Sequence, residues 1–253
     1  MAKPQSVRHT YRIEPVWDDL PEHTDTLVGI PRDEPRLRFR REKNSHRGLR
    51  EFTQLKELVV FCPNQEAIAE IGHLQGLEFL YIDETRAKDL SPLSGCRSLR
   101  HLTIKGATQV DSIEWIRDMP PLDSLLIENF KKITDISPIA SLSGARAIGV
   151  EGSMWTRQKV DSFSPLSAIE GLEALFITNC KPTNNGLAPL HLLRNLRFLE
   201  APGFYSEEEF VALERALPQL ECSWFCIGSA SIGKNRGVSY GMGGLVLTVD
   251  LAL

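Results

Sequence analysis

A phrase of the form Leu-x-x-Leu-x-(Ile/Val) recurs through the middle of the chain and limits its possible folds more than any other feature. It reads Leu55/Leu58/Val60, Leu77/Leu80/Ile82, Leu99/Leu102/Ile104, Leu122/Leu125/Ile127, Ala145/Ile148/Val150, Leu172/Leu175/Ile177 and Leu196/Leu199/Ala201. Successive starts lie 22, 22, 23, 23, 27 and 24 residues apart, and Leu220 follows after 24 more. A unit this short cannot bury its own apolar face, so neighbours must stack to share an interior. The second half of the unit has a phrase of its own. Asp89-Leu90-Ser91-Pro92-Leu93, Asp135-Ile136-Ser137-Pro138-Ile139 and Phe163-Ser164-Pro165-Leu166 are copies, and Ala188-Pro189-Leu190 is a worn fourth. Ser before Pro starts helices, because Ser accepts from an orphan amide and Pro lacks a donor where none is needed. Each unit therefore reads as strand, tight turn, and short helical or 3₁₀ segment.

These residues resemble the leucine-rich-repeat family, in the variety with short units and a D-(L/I)-S-P-(L/I) phrase found in bacterial internalin-like proteins and phosphatase-regulating solenoids. The resemblance spans residues 55–220. It implies an α/β solenoid: a leucine-rich-repeat arc with a concave parallel sheet and short helices or 3₁₀ turns on the convex side, in a protein of bacterial source. The family usually carries Asn or Cys at the ninth position of the unit. Here that column reads Pro63, Thr85, Ala107, Phe130, Ser153, Cys180 and Phe204, of which only Thr85, Ser153 and Cys180 can partly serve, so an irregular arc is expected.

The ends of a stack need lids. Residues 1–50 read as an N-terminal cap with strands at Thr26–Ile30 and Arg36–Arg41, the second alternating Leu37 and Phe39 with arginines. Residues 51–227 form the solenoid. Its capping helix is announced by Ser206-Glu207-Glu208-Glu209 and by Phe210, Leu213 and Leu217 before Pro218, with a last strand near Leu220–Ile227. Residues 228–253 are a Gly-rich tail, either an added edge strand or disordered.

Charge and cysteine usage narrow the function. The net charge of −4 argues against general nucleic-acid binding. Residues 1–50 carry eleven Lys/Arg against eight Asp/Glu, but Asp33, Glu34 and Glu42 dilute the arginine stretch Arg36–Arg50, which reads as a solvated face. The opening MAKPQSVRHTYRIEPVWDD has no apolar segment, no run is long enough to span a bilayer, and Cys62, Cys96, Cys180, Cys222 and Cys226 have no framework spacing. Cytoplasmic location, free thiols and no membrane or nucleic-acid partner are expected.

Motifs for chemistry are weak. Gly228–Asn235 fits G-x-x-x-x-G-K but ends in Asn where a phosphate loop needs Ser or Thr, and a glycine-rich loop follows instead of a helix. Cys222 and Cys226 lack further zinc ligands nearby, and Trp224 and Phe225 between them suit a strand. The six histidines are scattered. No cofactor, metal or enzymatic activity is expected.

The wall of the sheet is more informative. The third, fifth, seventh and eighth positions of each unit should face solvent on the concave side. They gather Phe61, Phe79 and Tyr81 near the start and Phe176 and Phe198 near the end, with Asp83, His101, Glu128, Glu151 and Glu200 beside them. Trp155 sits on an insertion, Ser153–Lys159, in the 27-residue unit. Exposed aromatics grouped on a concave wall point to a protein-binding face, for a segment with apolar side chains and some basic charge, unless the N-terminal strand or the tail folds over them. A protein-interaction module, monomeric, is the favoured reading. The alternative is a self-assembling or regulatory structural protein acting through sheet edges or tail.

Overall fold

The computed structural model describes residues 6–222. After one helical turn, α1 (Val7–Thr10), the chain enters a ten-stranded, wholly parallel sheet. Its strands are β1 (His23–Thr24), β2 (Arg36–Arg40), β3 (Glu57–Phe61), β4 (Phe79–Asp83), β5 (His101–Lys105), β6 (Ser124–Glu128) and β7 (Ala147–Glu151). After β8 (Gln158–Val160), which lies outside this sheet, come β9 (Ala174–Phe176), then β11 (Phe198–Glu200) and β12 (Glu221–Cys222), with β10 (Cys180–Pro182) intervening in sequence and pairing with β8 in a second, two-stranded sheet.

The repeat dictates the register. Leu58 pairs with Leu80, then Leu102, Leu125, Ile148, Leu175 and Leu199 in succession, so the fourth position of every unit stacks into one row. That row, with the first and sixth positions, faces the core between the sheet and the convex segments and is almost wholly buried. Phe130 and Phe163 fill the space between turns.

Five strands leave the sheet through a left-handed residue at the eighth position: Cys62, Glu84, Gly106, Asn129 and Asn179 all have φ between 49° and 68°. Gly and Asn tolerate this conformation, whereas Cys62 and Glu84 hold it at a cost. The ninth position is as irregular as the sequence implies. Thr85 does serve, its Oγ1 donating to the Pro63 carbonyl at 2.9 Å and accepting from the Ala87 amide at 3.1 Å.

On the convex side α2 (Gln65–Ile71) is followed by 3₁₀ turns at Ser91–Gly95, Glu114–Asp118, Ser137–Ser141, Ser164–Ala168 and Ala188–Leu192. Pro opens four of them. The capping group differs from the expected one. Ser91 is inside the turn, and the residue two before it accepts instead: the Ser91 amide donates to Asp89 at 2.8 Å, Ser137 to Asp135 at 2.7 Å and Ser164 to Ser162 Oγ at 3.0 Å. The closing helix α3 (Glu207–Ala216) starts with the full capping box of Ser206 and Glu209.

At the N-terminal end, β2 forms with Leu37 and Phe39 buried, but Thr26–Ile30 is a turn segment with Val28 exposed, and the edge strand is β1 instead. Val28 and Ile30 are held by no ladder, since the local bonds of Thr24 and Thr26 fold this stretch back on itself. Trp224, Phe225, Cys226, the Gly228–Asn235 match and the tail lie outside the described residues.

Candidate functional site

The wall opposite the main core is not open to solvent. Residues 6–20, a strap preceding the first strand, run back across it from the C-terminal repeats toward the N-terminal ones. Ser6 caps α1 by accepting from the His9 amide, and Arg12, at φ +52°, turns the chain so that Ile13 enters the wall. Ile13 is fully buried against Leu126, Ala147, Ala174 and Phe176, with Val7, Tyr11 and Phe198 around the rim. Small side chains in the middle of the wall make this seat: Ala147 and Ala174 leave room for Ile13, and Gly149 lets the Leu126 side chain lean across it, where a Cβ would meet it at 2.8 Å. A second cluster, Val59, Phe79 and Tyr81, lies under Leu20 and Phe61. Trp17 covers it edge-on, 5.5 Å from the Tyr81 ring.

Polar contacts complete the docking. Arg8 lies 4.9 Å from the centre of the Phe176 ring and donates to two carboxylates of the wall, Glu151 at 2.5 and 3.1 Å and Glu200 at 2.8 and 3.1 Å, and to Glu14 of the strap itself at 3.3 Å. Arg12 lies over Phe79 and reaches Glu57 at 2.5 Å, which Arg36 also holds at 2.8 Å. The Tyr11 hydroxyl donates to Glu173, Thr103 Oγ1 to the Ile13 carbonyl at 2.6 Å, and Lys105 bridges Glu14 of the strap and Glu128 of the wall. Among the described residues the Thr103 bond is the one hydrogen bond between strap backbone and wall, so side chains do the holding.

Burial sets the electrostatics. Desolvation works against the charge of Arg8, but Glu151 and Glu200 outweigh it and hold the guanidinium above its ordinary range. Glu151, 3% exposed, is pushed up by burial and pulled back by Arg8. Burial with Arg12 nearby drives His101 down to about 4, and its Nδ1 lies 2.9 Å from Ser124 Oγ. Burial and Glu84 raise Asp83, and Lys105 stays charged because the surrounding Tyr81, Glu128 and Glu14 outweigh its desolvation.

Of the residues singled out from sequence, Phe61, Phe79, Tyr81, Asp83, His101, Glu128, Glu151, Phe176, Phe198 and Glu200 do share one wall. The structure differs in what faces them: Phe79, Tyr81, Glu151 and Phe176 are buried beneath the strap instead of solvent-facing. Trp155 stands apart, 89% exposed with Met154 on a turn held by Ser153 Oγ and by Asn179, whose Nδ2 donates to the Ser153 carbonyl. Glu57, Thr103 and Lys105 stand in the same outward columns of the repeat and belong to the site without having been singled out, while Glu173 and the strap itself were not anticipated. Burial pushes the Cys96 thiol up to about 12, far from a nucleophile's range. Among the described residues no group of three or more His, Cys, Asp or Glu is gathered as for a metal, and no helix is long and apolar enough to cross a membrane.

No family model matches the chain. No curated protein matches it either. Solved structures do. Internalin C2 of Listeria monocytogenes aligns with 22% identity over 68% of this chain and 71% of its own, at a TM-score of 0.54. An internalin from the same organism aligns at 19% identity over 68% and 67% with a TM-score of 0.41, and a leucine-rich-repeat protein of Leptospira interrogans at 15% over 73% and 52% with 0.42. With the row of stacked leucines and the ten parallel strands, the first of these likenesses gives the chain its place: it has the leucine-rich-repeat fold.

Proposed function

We propose that this chain is a protein-recognition module, without catalytic activity, that holds an extended polypeptide segment on its concave wall. The supporting observation is that the wall grips such a segment, the strap, through side chains: an isoleucine in an apolar seat and an arginine on Phe176 between Glu151 and Glu200. This is a segment with apolar and basic character on an acidic, aromatic wall. Trp155, at the edge where β7 ends, is a second contact for the same partner. Assembly through sheet edges has less support, because the N-terminal edge strand β1 has two residues and offers little template for strand addition.

The test uses the full chain carrying Arg8→Glu and Ile13→Asp, which frees the wall, and a fluorescent peptide copying residues 6–15. Saturable binding that Glu151→Lys in the same chain abolishes supports the reading. A freed chain with native circular dichroism that binds this peptide no better than a scrambled one refutes it.

A further inference from the structure

We infer that the strap is a resident competitor, closing the wall until a partner segment with an arginine five residues ahead of an isoleucine-sized side chain displaces its first half, residues 6–14. This rests on the proposed recognition role and adds what the partner looks like and what it must remove.

The arginine requirement comes from the seat. A guanidinium there lies over Phe176, 4.9 Å from the ring centre, and each of the two wall carboxylates beside it takes two of its N–H donors. An ammonium group presents a point charge and no plane, so it cannot make the ring contact and both forks together. With Arg8 gone, this end of the wall keeps Glu151 and Glu200 with no cation of its own paired to either among the described residues, so an empty seat attracts a cation. The spacing comes from Ile13, whose side chain fills the gap above Ala147 and Ala174.

Displacement is possible because the strap is outside the structure it covers. The main core contains no residue of 6–20; the strap belongs to two satellite clusters on the other face of the sheet. Every strand of the wall keeps its ladder when the strap leaves. Within the strap, α1 is a single four-residue turn with no buried residue, too short to persist undocked. The apolar anchors of the two halves are also separate, with Arg12 over Phe79 a polar tie from the first half to the second cluster. Ile13 and Arg8 hold the first, while Trp17 and Leu20 hold the second on Tyr81 and Phe61, close to the point where β1 joins the sheet. The first half can therefore open while the second keeps it near, and a tethered competitor at high effective concentration weakens any free ligand by the reciprocal of the fraction of time it stays open.

The experiment is stopped-flow anisotropy with the labelled peptide copying residues 6–15 on two full chains, wild type and Arg8→Glu/Ile13→Asp. On wild type the observed rate should level off as peptide concentration rises, because opening comes first. On the freed chain it should climb linearly, with affinity at least tenfold tighter. A peptide carrying Arg8→Lys should bind the freed chain at least fivefold more weakly. Equal affinity and linear rates on both chains would overturn the competitor, and equal binding of the Lys peptide would overturn the arginine rule, each leaving the recognition role intact. A folded freed chain that binds no peptide removes the recognition role itself. Should the double variant lose its native circular dichroism, Ile13→Ser replaces it in the same comparison.

Discussion

Replacing Arg8 with Ala removes two fork contacts and a ring contact at one stroke and leaves Glu151 with 4% of its side chain exposed and no cation. If the strap stayed in place, the stranded carboxylate would cost about 3–5 kcal/mol, the range for breaking a buried ion pair by removing one partner. The strap has a second course. Peeling residues 6–14 away gives Glu151 back to water, while the freed residues regain backbone entropy; against this stand about 2–3 kcal/mol for exposing Ile13, further exposure of its seat on Leu126 and Phe176, and the loss of the Tyr11, Arg12, Ile13 and Glu14 contacts. The variant takes the lesser loss, so global stability should fall by no more than about 3–5 kcal/mol, the loss of the closed course, and by less if the strap opens. Two measurements on the full chain decide it: urea unfolding for the loss, and limited trypsin digestion for cleavage at Arg12, which should accelerate. The pH response separates the two courses. A buried Glu151 with a raised pKa binds a proton more readily folded than unfolded, so between the ordinary carboxylate range and the raised value stability falls as pH rises. A closed strap in the variant would show recovery as pH falls from neutral toward the ordinary carboxylate range, and an open one would not. Unchanged stability with undiminished protection of Arg12 would refute the assignment of Arg8 as the anchor.

His101, lowered to about 4, should remain neutral through pH 5 in an NMR titration; because its folded pKa lies below the ordinary value, its contribution to stability is present above about 6.5 and lost as pH falls toward 4. Gly152→Ala would place a methyl group 2.4 Å from the Asn179 carbonyl oxygen and 2.5 Å from that of Thr156, both backbone, and should cost about 1–3 kcal/mol in urea unfolding. Glu84→Asn should raise the thermal midpoint, relieving up to about 1 kcal/mol at a left-handed position. Phe130→Ala, a fully buried ring between turns, should cost about 3–5 kcal/mol by the same urea measurement.

The stack was legible because its physics is periodic. Leu58, Leu80 and Leu102 recur at the spacing of one coil, and nothing but a shared interior explains that. The capping box at Ser206 was legible for a similar reason, being a fixed pattern with one geometry. The caps of the 3₁₀ turns were misread by two residues: Asp89 and Asp135 hold the amides of Ser91 and Ser137, and the Asp of the repeated phrase was the signal. The strap left no period to read. Its α1 is one turn long, and Val7, Tyr11, Ile13 and Trp17 follow neither a helical nor an alternating spacing. Its trace was in the strands it covers. Leu58-Val59-Val60, Phe79-Leu80-Tyr81-Ile82 and Leu125-Leu126-Ile127 are continuous apolar runs, the mark of a strand buried on both faces, whereas a wall open to water would alternate.

Those two-sided runs also bear on why the wall keeps its residues. Val59, Tyr81, Leu126 and Phe176 contribute nothing to the core beneath the sheet, which closes without them. A chain selected for the solenoid alone could carry Thr or Lys in that column, as it carries Thr103 at β5 and Glu200 at β11. Apolar side chains there are stable only while covered, since uncovered they form a patch that invites association. The wall therefore favours the covered state, and the same contacts that make the strap a good cover make it an obstacle to any other. An apolar wall of this kind and a cover docked by side chains, with one hydrogen bond from its backbone, belong together: the first calls for an occupant, and the second permits the occupant to change.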